Sequence, residues 1–126
     1  MYPTHSRDHF ADINAYEESV LTGERPSGRY EKLAVMRGCD DLQRAAEDDA
    51  YPYYFDVDAA LKIIRFVETF SHVKGKSAKA GGQDRLISLA GWQKWCLAHV
   101  FGWKKKRDDF RRFTTAEIYV ARKNGK

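Results

Sequence analysis

The chain has 126 residues, of which 43% are hydrophobic and 32% are charged, with a net charge of +4; this fits one soluble domain with a modest core. It contains no run near the roughly 20 apolar residues of a membrane span and begins without a secretory signal. Disordered, membrane and secreted classes are therefore disfavoured, and we expect a cytoplasmic protein.

Apolar periodicity predicts several helices in residues 1–72, which we interpret as an acidic helical segment. The first covers residues 10–21. A second covers residues 29–49, either as one helix or as two joined near Gly38. The clearest helix covers residues 57–70, with Asp56 as its N-cap.

An aromatic stretch, Tyr51-Pro52-Tyr53-Tyr54-Phe55, lies between the last two of these helices. Pro52 excludes regular helix there, so the sequence predicts a loop. We interpret its rings as a packing cluster and not as a nucleotide cage. The aspartate pairs before it, Asp40-Asp41 and Asp48-Asp49, lack calcium-loop spacing, so a solvated helix is predicted there and no metal site.

Residues 73–85 are rich in glycine and lysine and predict a flexible basic loop. Residues 86–126 form the third segment. It begins with a helix over residues 90–101, closed by Gly102, and continues with a polar turn over residues 104–112. A β-prone run over residues 114–120 then predicts a strand.

Tryptophans and cysteines in these elements favour a structural role. Trp92 and Trp95 have helical spacing, which is more typical of a core than of base stacking. Cys39 and Cys96 are far apart and in no CxxC pair, so buried thiols are predicted, with neither a zinc site nor a disulfide.

The charge is divided unevenly along the chain. Residues 1–72 hold 8 lysines and arginines against 14 aspartates and glutamates, whereas residues 73–126 hold 14 against 4. The basic half can neutralise the phosphates of a nucleotide or a nucleic acid, and the acidic half repels them. The alternative is that the two oppositely charged halves attract each other. The turn over residues 104–112 could contact DNA, but we interpret it as an ordinary solvated turn.

The chain ends with Val120-Ala121-Arg122-Lys123-Asn124-Gly125-Lys126. A P-loop joins a strand, a tight loop and a helix, so that backbone amides and one lysine surround the phosphates. Gly125 and Lys126 match the pattern GxxxxGK[ST], Val120 takes the first glycine position, and the hydroxyl that holds Mg²⁺ would be residue 127. The alternative is a disordered basic tail.

This run resembles the variant Walker A motif of tailed-phage terminase large subunits, (V/A)-x-R-K-x-G-K-S. The pieces upstream of it follow the order of that family: Tyr53-Tyr54-Phe55-Asp56, Arg65-Phe66-Val67-Glu68, Gly91-Trp92-Gln93, Phe101-Gly102-Trp103 and Arg111-Arg112-Phe113. The resemblance covers nearly the whole chain and is weakest in residues 1–50. The ordered set is far more specific than any one of its members.

The resemblance implies a mainly α amino-terminal segment that leads into the first strand of an α/β P-loop ATPase core. It implies an ATPase and endonuclease that packages viral DNA, with ATP and Mg²⁺ as cofactors. Double-stranded DNA, the terminase small subunit, the portal and further copies of the motor are the implied partners. The implied location is the cytoplasm of a bacterial host.

The resemblance also implies roles for single residues. Lys126 would contact the β- and γ-phosphates, and the amides near Asn124 and Gly125 would line them. Arg122 would stabilise charge on the γ-phosphate during hydrolysis; Lys123 could share that task, or Arg122 could pair with an acidic residue.

Gln93 would bind the adenine edge, because an amide offers both a donor and an acceptor. The alternative is a glutamine that opens the helix and faces solvent.

The family's Walker B pair, coupling motif and nuclease domain have no counterpart in these residues, so we expect the isolated chain to lack ATPase activity. Two other functions remain open. One is a small non-catalytic protein that binds DNA or a packaging partner and carries a vestigial P-loop. The other is the front of a different P-loop ATPase, such as a helicase.

Overall fold

A computed structural model describes residues 8–69 and 89–118. Within them the chain is mainly helical with one small sheet, and its elements are, in order, α1 (Asp8–Leu21), α2 (Arg29–Glu47), β1 (Tyr53–Phe55), α3 (Val57–Glu68), α4 (Gly91–Phe101) and β2 (Trp103–Lys105). The predicted helices are confirmed, whereas the predicted loop over residues 73–85 lies outside the described residues. No helix in the described ranges has the length and apolarity needed to cross a membrane.

Helix α2 runs without a break through Gly38, which settles the question of one helix or two. Gly38 is buried, and a Cβ there would lie 2.9 Å from His99 Cε1 and 3.0 Å from Trp95 Cζ2. The residue therefore allows α4 to approach α2 closely, and it does not end the helix.

Helix α3 begins at the predicted cap. Asp56 Oδ1 accepts a hydrogen bond from Ala59 N at 3.1 Å, which satisfies an amide that the first turn leaves unpaired. The buried face of the helix is entirely apolar and consists of Val57, Ala60, Leu61 and Ile64.

The sheet corrects two predictions. The aromatic stretch contains a strand, since Tyr53, Tyr54 and Phe55 pair antiparallel with Lys105, Lys104 and Trp103. The polar turn predicted over residues 104–112 therefore overlaps β2, because Lys104 and Lys105 belong to the strand. Aromatic residues favour strands, but the partner strand is far away in sequence, and local periodicity carries no sign of it.

After β2 the chain reverses in a tight turn. Lys105 N donates to Phe110 O at 2.9 Å and Arg112 N donates to Trp103 O at 2.9 Å. Asp109 lies at the turn with a φ of 63°. Residues 114–118 then form neither helix nor strand and do not join the sheet of β1 and β2. Tyr119 and Val120 of the predicted strand lie outside the described residues.

Gly102 ends α4, as predicted, but its φ of −84° is not left-handed. A Cβ there would lie 2.6 Å from Ala98 O and 2.7 Å from Phe55 Cε1. Close packing of the helix end on the Phe55 ring therefore requires the glycine.

Two apolar clusters form the core. The larger joins all four helices and both strands around Trp103, which is fully buried, and Leu42 is the buried residue that α2 contributes to it. The smaller joins α1 and α2 through Tyr16, Val20 and Val35, and Trp92 packs against it. Trp95 contacts both clusters, so the predicted packing role of the two α4 tryptophans is confirmed.

Candidate functional site

A cavity of about 630 Å³ lies between α1, α2, α4 and residues 113–118. We call it the α4 cavity. Its volume is in the range of small-molecule sites. Its aromatic lining residues are Tyr16, Tyr30, Trp92, Trp95 and Phe113.

One end of the α4 cavity is closed by a polar group of three residues. Tyr16 OH donates to Glu31 Oε2 at 2.6 Å, and Arg25 Nε donates to the same oxygen at 3.3 Å. The Arg25 guanidinium also lies 5.5 Å from the centre of the Tyr16 ring. Burial, and then the Glu31 hydrogen bond, raise the pKa of Tyr16, so this phenol remains a neutral donor.

At the wall of the cavity, polar side chains form a largely buried chain that connects α1, α4 and β2. Trp95 Nε1 donates to Glu17 Oε2 at 2.8 Å, and Trp103 Nε1 donates to His99 Nδ1 at 3.1 Å. Because Nδ1 accepts, the neutral imidazole carries its proton on Nε2, which lies 3.8 Å from Glu17 Oε2. We call Glu17, Trp95, His99 and Trp103 the buried polar chain.

Sequence reasoning did not identify the buried polar chain. Trp95, His99 and Trp103 are spaced four residues apart, and the first two lie on one face of α4. The rings of Trp95 and His99 stack, with centroids 4.4 Å apart. That spacing is the available signal, but Glu17 is 78 residues from Trp95, and nothing local indicates the pairing.

The two cysteines are protonated thiols at neutral pH. Burial raises the pKa of Cys96, which lines the α4 cavity, to about 11. Burial and the nearby Glu17 carboxylate raise that of Cys39 to about 11 as well. Both are unpaired and half-buried, which is less than the full burial predicted. Neither thiol is therefore activated as a nucleophile.

Asp41 and Arg112 form an ion pair between α2 and the chain after β2. Arg112 Nη1 lies 3.1 Å from Asp41 Oδ2, and the two side chains are 13% and 10% exposed. Tyr51 OH donates to Asp41 Oδ1 at 2.8 Å, and the Arg112 guanidinium lies 4.1 Å from the centre of the Tyr53 ring. We call this group the Asp41–Arg112 clamp.

The clamp corrects the prediction of a solvated acidic helix at Asp41 and of a solvated turn at Arg112. Both side chains are largely buried because each compensates the charge of the other. Asp40, by contrast, does face solvent and pairs along the helix with Arg44 at 3.1 Å.

Gln93 is the one predicted site residue that the structure describes. It lies in the first turn of α4, where its Oε1 accepts a hydrogen bond from Ala90 N at 2.9 Å. This bond helps begin the helix. Gln93 does not line the α4 cavity. Its adenine-binding role stays a prediction, and Arg122, Lys123, Asn124, Gly125 and Lys126 lie outside the described residues.

Residues 113–118 share the α4 cavity with the helix itself. Phe113 and Ile118 line it together with Trp92 and Trp95. The Arg37 guanidinium lies 5.5 Å from the centre of the Phe113 ring and attaches this segment to α2. The last described residue, Ile118, therefore lies in the cavity wall, four residues before Arg122 in the sequence.

In the parts of the chain that the structure describes, no group of three histidines, cysteines or acidic residues is arranged to hold a metal ion. Comparison of the chain with models of protein families, with curated proteins and with solved structures found no match.

Proposed function

We propose that this chain is the amino-terminal part of a terminase large subunit, an ATP-driven motor that moves and cuts viral DNA during packaging. The observation that carries the proposal is the run from Val120 to Lys126. The five aromatic and polar pieces upstream precede it in the family's order.

The position of Gln93 supports a role in nucleotide recognition. Its amide lies at the beginning of α4 and is half-buried. Oε1 caps the helix, and the amide also carries two N–H donors and a second lone pair. An adenine edge presents a complementary donor and acceptor.

The path of the chain supports a phosphate-binding loop near α4. Ile118 and Trp92 line the same cavity, and Trp92 precedes Gln93. Ile118 is four residues before Arg122 in the sequence, so a nucleotide bound by the proposed loop could also reach the beginning of α4.

In the proposed enzyme, each residue of the phosphate-binding loop has a role that follows from its charge and geometry. Lys126 binds the β- and γ-phosphates as a compact cation, while the amides of Asn124 and Gly125 line them. Arg122 stabilises the charge that develops on the transferred phosphoryl group, with Lys123 beside it. Mg²⁺ supplies charge neutralisation when bound, and its hydroxyl ligand would be residue 127.

The first test is to read the coding DNA beyond the Lys126 codon. We expect serine or threonine at once, then a helical pattern, and then a hydrophobic strand ending in Asp-Glu. A stop codon directly after Lys126 would contradict the proposal and favour the small DNA- or partner-binding protein.

The second test is ATP turnover by the full-length product. We expect Lys126→Ala to abolish it and Arg122→Ala to lower kcat by roughly a thousandfold or more. Gln93→Ala should raise KM for ATP and weaken discrimination against GTP. Gln43→Ala, an exposed glutamine of α2, is the matched control. Undiminished turnover in Lys126→Ala would overturn the assignment.

A further inference from the structure

A groove of about 710 Å³ lies between α3, the carboxyl end of α4 and β2. It shares no lining residue with the α4 cavity. The side chains of Ile63, Phe66 and Phe101 give it an apolar floor, and its cationic lining residues are Lys62, Arg65, Lys104 and Arg111. We call it the α3–β2 groove.

One of the four cations has its charge compensated by a direct ion pair. Lys104 Nζ donates to Asp56 Oδ2 at 2.7 Å and is therefore neutralised locally. Among residues 8–69 and 89–118, Lys62, Arg65 and Arg111 have no ion-pair partner. Asp58 is the remaining carboxylate of the lining, so the groove is net positive and attracts anions.

One aromatic ring of the groove is largely exposed. Phe66 is 57% exposed although it is a large apolar side chain. The Arg111 guanidinium lies 5.2 Å from the centre of the Phe101 ring and extends the flat surface. Planar groups can stack on such a surface, and cations beside it can hold phosphates.

We propose that the α3–β2 groove binds single-stranded nucleic acid, with unpaired bases on Phe66 and phosphates on Arg65, Lys62 and Arg111. An acidic peptide matches the cations but lacks planar rings for the floor. A duplex offers phosphates but keeps its bases stacked inside. An unpaired strand uses both features. The inference does not depend on the terminase assignment, because it uses none of the P-loop residues.

The test is fluorescence anisotropy of a dye-labelled oligothymidylate of about 12 nucleotides and of a duplex of equal length. We expect the single strand to bind more tightly, and Phe66→Ala to weaken its binding roughly tenfold. Arg65→Gln and Arg111→Gln should each weaken it and reduce the slope of log K against log salt by about 0.7.

Matched controls lie on α2. Leu33→Ala removes a side chain that is 48% exposed, and Lys32→Gln removes an exposed cation; both should bind like the unchanged chain. Circular dichroism of each variant verifies folding.

Three results would overturn the proposal. One is absence of binding at low salt, and another is equal loss in the α2 controls and the groove variants. The third is a duplex or a polyglutamate peptide that binds as tightly as the single strand, with Phe66→Ala having no effect.

Discussion

Helices α2 and α3 are attached to the rest of the molecule in different ways. The buried face of α3 is aliphatic throughout, whereas the buried residues of α2 are Val35, Gly38, Asp41 and Leu42. Apolar burial has no direction and depends on volume. A polar contact, or a close approach between two helices, instead requires a particular partner residue. We therefore expect the stability of the protein to fall when a buried side chain of α3 loses volume. For α2, we expect it to fall when a single polar group is removed or a single atom is added at a close contact.

The largest effect is expected on the α3 side. Ile64 is fully buried in the larger cluster, so Ile64→Ala should lower the free energy of unfolding by about 2–5 kcal/mol. Urea unfolding followed by tryptophan fluorescence measures this. Leu33→Ala, at an exposed site on α2, should change stability by less than about 0.5 kcal/mol. Equal losses of stability in Ile64→Ala and Leu33→Ala would show that burial does not determine the effect at these two sites.

The Asp41–Arg112 clamp gives the next effect. Asp41→Asn leaves the Arg112 cation largely buried without its counterion, which should cost roughly 1–3 kcal/mol, less than for a fully buried pair. Arg112→Met should cost a similar amount. In a double-mutant cycle, the combined change should cost clearly less than the sum. Strictly additive losses of stability would mean that the interaction between Asp41 and Arg112 does not stabilise the packing of α2.

Gly38→Ala tests the close approach of α2 and α4. The added Cβ would lie within 3.0 Å of the Trp95 ring, so the stacked rings must move, at a cost of about 1–2 kcal/mol. Gly28→Ala, at the N-cap of α2, controls for the steric effect only, because a Cβ there has no atom within 4 Å. A stabilising Gly38→Ala would indicate that the only effect is helix propensity.

The smallest effect is a pH dependence at Asp56, where α3 meets β2. Burial raises the pKa of Asp56, but hydrogen bonds from Lys104 and the Ala59 amide outweigh it and hold the pKa below its ordinary value. The folded state thus takes up this proton less readily. The stabilisation is present above the pKa of an unfolded aspartate, near about 4, and is lost as pH falls through the lower folded pKa.

Asp56→Asn should therefore cost about 1 kcal/mol or less at neutral pH and almost nothing well below pH ~3. Urea unfolding at several pH values measures the difference. A loss from Asp56→Asn that is constant with pH would contradict the ionic contribution of Lys104.

The contrast between the helices also explains what the sequence predicts. Helices α1, α3 and α4 and the Asp56 cap follow from periodicity and capping chemistry within a few residues of each other. The continuity of α2 could not be predicted, because Gly38 serves a contact with His99. The strands and the Asp41–Arg112 clamp could not be predicted either, since their partners are distant in sequence.

The candidate site was predictable to a smaller extent. Gln93 lies in the first turn of α4, where the sequence places it. The α4 cavity collects residues from three helices and the segment 113–118, and no single stretch reveals that combination. The roles of Arg122 and Lys126 remain predictions.

The pairing of β1 with β2 joins Tyr53 to Lys105, about fifty positions apart. The entropy of closing so long a loop must be lost before the sheet gains any contact, so we expect the helices to form first and the sheet to form late in folding. The free-energy cost of closing the loop grows only slowly with loop length, by about 0.6 kcal/mol for each doubling. The chain between α3 and α4 can therefore lengthen or shorten during evolution while the two strands keep their register.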